Sequence, residues 1–206
     1  MVTAAPGLIV RFPKPDAFQE EIVRSPARFK VVAAGRRVGK TYVGVWMAAR
    51  TGVEGGRTWL VGPTYKIALE GWTLLRSMAK QVPGAIVRET LMEIAWPSGG
   101  LTQVRSADNP DSLRGAGLDG VVLDEAAFMD EEAWSDALRP SLADRQGWAL
   151  FISTPRGRNW FYRLYELARG GAEGWAAWHR RTGESDYVTD AEVDLARLQT
   201  SPERFA

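Results

Sequence analysis

A chain of 206 residues with 45% hydrophobic and 25% charged side chains can bury one sizeable core and has the composition of an ordinary globular domain. A net charge of +1 excludes a globally basic nucleic-acid binder, so any such contact has to come from a local patch. The lack of cysteine excludes disulfide frameworks and thiolate metal sites, the single histidine, His179, argues against a histidine-based metal centre, and no stretch is apolar for long enough to span a bilayer.

In chain order, residues 1–15 hold several Pro and Gly and read as an irregular lead-in without a signal-peptide layout, so a cytoplasmic protein is expected. Residues 18–23 read as a short helix. Its Gln19 offers an amide that either reads an adenine edge, having both a donor and an acceptor, or is an ordinary exposed helix glutamine.

Phe29 to Ala34 is a short apolar run and reads as a buried strand. It enters the turn Gly35-Arg36-Arg37-Val38-Gly39, after which Lys40-Thr41 opens a helix. Strand, glycine-bearing turn, Lys-Thr and helix make the layout of a phosphate-binding loop. Main-chain N–H groups of Ala34 to Gly39 and of the helix start would converge on an anion. Gly39 lets the backbone approach phosphate oxygens, Lys40 would reach the β and γ phosphates of ATP, and Thr41 would place its hydroxyl on Mg²⁺. The usual pattern has glycine at the first position, where this chain has Ala34; the residue is small and Gly35 follows at once.

Gly52, Gly55 and Gly56 end the helix, and residues 57–62 form a second strand. A helix follows from about 65, with Ile67, Leu74, Leu75, Met78 and Val82 on one face, until Pro83-Gly84 stops it. Residues 86–88, 91–96 and 101–105 alternate as strands do, with Pro97 to Gly100 as a hairpin loop, and together make a β insertion. The polar loop 106–117 is either a plain connector or a functional one.

Gly120 to Leu123 is an apolar strand ending in Asp124-Glu125. In a parallel sheet that end faces the ligand crevice, where Asp124 would hold Mg²⁺ and Glu125 would act as the base for an attacking water. A short helix is expected over 130–138 and a buried strand over 147–153. Ser153 and Thr154 at its end either sense the γ-phosphate or cap a helix. An amphipathic helix with a basic start runs from Arg156, a strand covers about 175–182, and Thr189 to Glu192 forms a capping box. Alternating strands and helices predict an α/β fold with a mostly parallel sheet. The nine tryptophans read mainly as core residues.

Taken together, Gln19, the loop Ala34–Thr41, Val61-Gly-Pro-Thr-Tyr65, Ser106-Ala-Asp-Asn-Pro110, Leu113-Arg-Gly-Ala-Gly before Asp124-Glu-Ala-Ala127, and Ser153-Thr-Pro-Arg-Gly-Arg-Asn-Trp-Phe161 resemble the ATPase domain of phage large terminases, over roughly residues 15–165. The resemblance implies a P-loop NTPase of the additional-strand type: a mostly parallel central sheet flanked by helices, a β-hairpin insertion and a small C-terminal lid. It divides the chain into a core, 1–170, and a lid or linker, 171–206. It also implies that the chain ends about where a nuclease domain would begin, so no nuclease activity is expected.

In the roles so implied, Lys40 and Thr41 hold phosphate and Mg²⁺, Asp124 is the second metal residue, Glu125 is the base, and Thr154 lies in the coupling motif. Arg36 matches a loop arginine. Arg114 matches an arginine that reaches a neighbouring subunit's site, a local salt bridge or DNA contact being the alternative. The implied partners are double-stranded DNA, a portal protein and a small terminase subunit. The chain is expected to be monomeric in isolation and to form a ring on the procapsid, in the host cytoplasm and away from membranes. Arg156, Arg158, Arg163, Arg180 and Arg181 are candidate DNA-phosphate contacts. The competing readings are a helicase-like DNA-dependent ATPase and a non-catalytic, nucleotide-switched assembly module.

Overall fold

The computed structural model of the chain describes residues 2–4, 8–10, 12 and 14–184. The expected capping box at 189–192 lies outside them. The expected irregular lead-in contains a small antiparallel hairpin, β1 (Val2–Ala4) and β2 (Leu8–Val10). Helix α1 (Ala17–Arg24) starts in a capping box: Asp16 accepts from the Gln19 N–H at 2.8 Å and the Gln19 side chain accepts from the Asp16 N–H at 3.1 Å.

The core elements follow as β3 (Phe29–Ala34), α2 (Lys40–Val53), β4 (Arg57–Gly62) and α3 (Tyr65–Ala79). The insertion comprises β5 (Ile86–Arg88), β6 (Glu93–Ala95) and β7 (Leu101–Ser106). The strand expected from 91 begins at Glu93 because a 3-10 turn, Glu89–Leu91, is closed by Met92 at φ 47°. Next come β8 (Gly120–Asp124), a π-helical turn (Ala133–Leu138) running into the short α4 (Arg139–Ser141), β9 (Trp148–Ser153), α5 (Trp160–Arg169) and β10 (Trp175–Arg180). The helix expected over 130–138 therefore takes π geometry over most of its length, with Pro140 just beyond it.

Eight strands form one sheet in the order β10-β3-β9-β8-β4-β7-β6-β5. All pairings are parallel except β5–β6 and β6–β7, so the hairpin insertion extends the main sheet from β4 outward. Strand β9 lies between the loop-bearing β3 and the acidic β8, which is the additional-strand arrangement. β3, β8 and β9 are apolar almost throughout because both of their faces are covered. Val32, Ala34, Val122 and Ile152 pack beneath α1, α2 and α3. Val31, Ala33, Leu123 and Phe151 pack beneath α5 and the π-helical segment. Five tryptophans, Trp59, Trp72, Trp96, Trp134 and Trp160, are buried in these layers.

The expected boundary at residue 170 falls before β10, which pairs with β3 from Trp175–Phe29 to Arg180–Ala34. The sheet thus crosses that boundary.

The hairpin loop docks on the end of α2. A Cβ on Gly100 would stand 2.0 Å from the Gly52 carbonyl oxygen, a backbone atom with little room to yield. Gly100→Ala is expected to destabilise the fold by about 3 kcal/mol, read as a lower urea midpoint with an unchanged slope. An unchanged midpoint would contradict this packing.

Candidate active site

The carboxyl ends of β3, β8 and β9 meet the amino end of α2 at one place. Lys40, the first residue of α2, is 7% exposed, and its Nζ donates to the carbonyls of Ala34 at 3.0 Å and Gly35 at 2.6 Å, and to Thr154 Oγ1 at 3.4 Å. The ammonium is therefore positioned by the loop's own backbone. Burial lowers its pKa, the negative charges of Glu125 and Asp124 raise it, and the Arg36 guanidinium lowers it.

Glycine is required at Gly39, which caps α2 at φ 75°. Ala34 needs no such freedom, since it is an ordinary strand residue paired with Arg180, and this accounts for alanine at the first loop position. Gly35 is constrained by space: a Cβ there would meet Thr182 Oγ1 at 2.2 Å and Thr182 N at 2.6 Å. Val38 is buried at 1% and anchors the loop in the core, while Arg36 and Arg37 are exposed, Arg37 in the left-handed region at φ 58°.

Asp124, at the end of β8, is 7% exposed and is hydrogen-bonded to the Thr41 side chain. Its Oδ1 is buried and without a hydrogen-bond partner among the described residues. Burial raises the carboxyl from 3.8 to about 6; the Thr41 hydrogen bond opposes this, the Glu125 charge adds to it, and Lys40 opposes it.

Glu125 adopts φ 55°, ψ 46° at the start of a 3-10 turn, Ala126–Phe128. A non-glycine residue in that region costs roughly 1 kcal/mol or more. The turn swings its carboxylate towards β9, where Oε2 accepts from the Thr154 N–H at 3.3 Å and Ser153 Oγ at 3.1 Å. Ser153 is fully buried and its Oγ also accepts from the Ala127 N–H at 3.2 Å. It is thus placed to orient Glu125 rather than to touch a phosphate, whereas Thr154 faces Lys40.

The other predicted residues lie around this cluster. Gln19 is 1% exposed: its Oε1 accepts from the Asp16 N–H and its Nε2 donates to the Gly39 carbonyl at 3.4 Å. It braces the phosphate loop and is not open to a base edge. Arg114 is exposed and paired with Asp111 at 3.0 Å, with no hydrogen bond to the Lys40–Glu125 cluster among the described residues. Arg180, expected on a DNA-facing surface, is 14% exposed, lies 3.6 Å from Asp16 and stacks 5.1 Å over Phe18. Arg156 lies over the exposed Phe128 ring at 4.7 Å and Arg163 pairs with Glu131.

Two supporting contacts escaped the sequence reading. Asn159 caps α5 and donates to the Ala127 carbonyl at 2.9 Å, tying the Glu125 turn to that helix. The Gly35 N–H donates to the Arg180 carbonyl at 2.9 Å, under Thr182. The first was accessible as an N-cap asparagine before an apolar run; the second joins residues with no local signal.

The family model described as "Terminase large subunit, T4likevirus-type, N-terminal" matches residues 31–193. The chain belongs to this terminase family. The large terminase subunit of Thermus virus P23-45 is 38% identical over a match covering 77% of this chain and 37% of that protein. The chain thus spans little more than a third of that relative's length. The solved large terminase ATPase domain of Thermus phage P74-26 superposes with a TM-score of 0.80 at 29% identity, covering 93% of this chain and 91% of that one. A large terminase from another thermophilic bacteriophage, solved in complex with ADP, shares the fold at a TM-score of 0.70 and 17% identity, over 90% of this chain and 50% of that one. The P-loop, additional-strand architecture is therefore that of terminase ATPase domains.

Proposed function

We propose that this chain is the ATP-hydrolysing motor domain of a phage large terminase and that its cycle drives double-stranded DNA into a procapsid. The observation that carries this reading is the convergence of a preset Lys40, a buried Asp124 bonded to Thr41, and a Glu125 carboxylate steered by Ser153 and Thr154. ATP would lie with its phosphates over residues 34–39 and the amino end of α2, where main-chain N–H groups and the helix dipole favour negative charge. Lys40 and Arg36 add positive charge beside the transferring phosphoryl group.

Thr41 and Asp124 fit Mg²⁺: both offer hard oxygen donors, and the buried Asp124 Oδ1, without a hydrogen-bond partner among the described residues, is an acceptor suited to a cation. Bound there, the ion would neutralise charge developing on the β- and γ-phosphate oxygens. Glu125 would take a proton from the attacking water as its oxygen bonds to the γ-phosphorus and the bond to ADP breaks. Thr154, touching both Lys40 and Glu125, is offered as the link from hydrolysis to movement, with Ser153 as the residue that orients the base. The exposed Arg156 and Arg158 are offered as DNA-phosphate contacts, and a ring bound to a portal and a small subunit in the host cytoplasm is the proposed working assembly.

Arg114 lies outside the cluster and is free to serve a neighbouring subunit once it leaves Asp111. Mg-ATP turnover per subunit, measured against protein concentration, tests this. Specific activity is expected to rise with concentration, and Arg114→Ala is expected to abolish the rise and lower assembled activity by about 10³-fold. Activity that stays flat and survives Arg114→Ala would make the site self-sufficient and shift the role to Arg36. Nucleotide binding without turnover at any concentration would favour a switch module.

A further inference from the structure

At the amino ends of β3 and β9, the end of the sheet opposite the phosphate loop, an open cavity of about 410 Å³ lies between the end of α1 and the second half of α2. Its wall carries Lys30 from β3, Trp46 and Arg50 from α2, and Trp148 from β9. Lys30 is 5% exposed, and the acceptor of its ammonium is the Ala27 carbonyl at 2.6 Å. No carboxylate pairs with it among the described residues. Nearby, the buried Trp46 Nε1 has no hydrogen-bond partner among the described residues.

A buried ammonium without a counter-charge is costly, and so is a buried N–H without an acceptor. Lys30 lines this cavity, and a bound oxyanion would offset the first of these costs. The surroundings favour negative charge. Arg28 and Arg50 add two cations, and Glu54, the carboxylate on the wall, is paired with Arg50 at 3.0 Å. Burial alone lowers the Lys30 ammonium to about 8, so it remains largely charged at neutral pH. The indoles supply flat apolar walls: Trp148 is held by its Nε1 donating to Thr51 Oγ1 at 3.3 Å, and Trp46 lies under Arg50 at 5.7 Å.

We infer that this cavity is a second ligand site, separate from the phosphate loop, which binds a small organic anion: a carboxylate or similar oxyanion on a flat apolar body. The charged end sits at the Lys30 Nζ, and the body lies against the Trp46 and Trp148 indoles that line the cavity. Nothing in this assignment depends on the ATPase reading, and it adds a small-molecule site on the far side of the sheet.

The experiment uses the whole chain, with the phosphate loop saturated by ADP, and 2-naphthoate as the probe. Binding is followed by calorimetry and by quenching of tryptophan fluorescence, with 2-naphthamide as the uncharged control. Saturable binding of the carboxylate, with the amide at least tenfold weaker, is expected. Lys30→Met, which keeps the stem and removes the charge, is expected to weaken binding by about ten- to a hundredfold, and Trp46→Phe, which shrinks the flat apolar wall, by about fivefold. Thermal unfolding of each variant checks that the fold persists; should Lys30→Met fail to fold, Trp46→Phe and the amide control still decide. Equal binding of amide and carboxylate, unchanged affinity in the variants, or no saturable binding at millimolar 2-naphthoate would each overturn the site.

Discussion

Replacing Glu125 with alanine is expected to lower ATP turnover by ~10²- to 10⁴-fold, with nucleotide affinity little changed. The carboxylate rests on Ser153 Oγ and the Thr154 N–H, and neither contact belongs to the loop that would hold the phosphates. Glu125→Gln sharpens the result. The amide oxygen can still accept both hydrogen bonds, so the left-handed turn and its geometry persist while the base is removed. Equal loss in the two variants assigns the role to proton acceptance. Substantial turnover in the glutamine variant would mean that Glu125 only positions water, and full turnover in both would remove it from the chemistry. Single-turnover rates and binding of a fluorescent ATP analogue separate these outcomes.

Asp124→Asn is expected to abolish Mg-dependent turnover and, in the metal-free protein, to stabilise the fold. The Asp124 carboxyl rises from 3.8 to about 6 mainly through burial. A carboxyl raised on folding costs nothing below its unfolded pKa, where both states are protonated. The cost grows between 3.8 and about 6 and is complete above that, reaching up to about 3 kcal/mol. Asparagine keeps the shape and carries no charge. The stability gain should therefore appear at pH 7 and vanish near pH 3.5. Urea unfolding in a chelating buffer at both values measures it. A gain equal at the two pH values would point to packing, and a loss at pH 7 would mean that the charged form is held by more than Thr41 and Lys40.

The local parts of this molecule were legible in the sequence because their signals are local. A strand, a turn ending in Gly39 and Lys40-Thr41 lie within a dozen residues, and Asp124-Glu125 closes its own apolar strand. What was not legible depends on contacts distant in the chain. Gln19 reads either as an adenine contact or as a surface glutamine until the loop folds over it. Ser153 could cap a helix or meet a phosphate until the turn at Glu125 brings a carboxylate to it. Lys30 sits in an apolar strand, but its lack of a carboxylate partner among the described residues is a property of the assembled cavity. Arg180 reads as a surface cation, and only the parallel pairing of β10 with β3 carries it to Asp16 and Phe18.

That pairing bears on where the domain can be cut. Gly35 is bonded to the Arg180 carbonyl and covered by Thr182, so the start of the phosphate loop and the way out of the sheet share one joint. A version trimmed at the boundary expected from sequence, residue 170, would lose an edge strand, uncover β3 and leave the Gly35 N–H without its acceptor. The smallest piece that keeps the loop intact runs to at least Glu184, which itself accepts from the Arg180 side chain at 2.8 Å. A fusion or graft inserted between Arg180 and Glu184 would act on nucleotide binding as well as on folding.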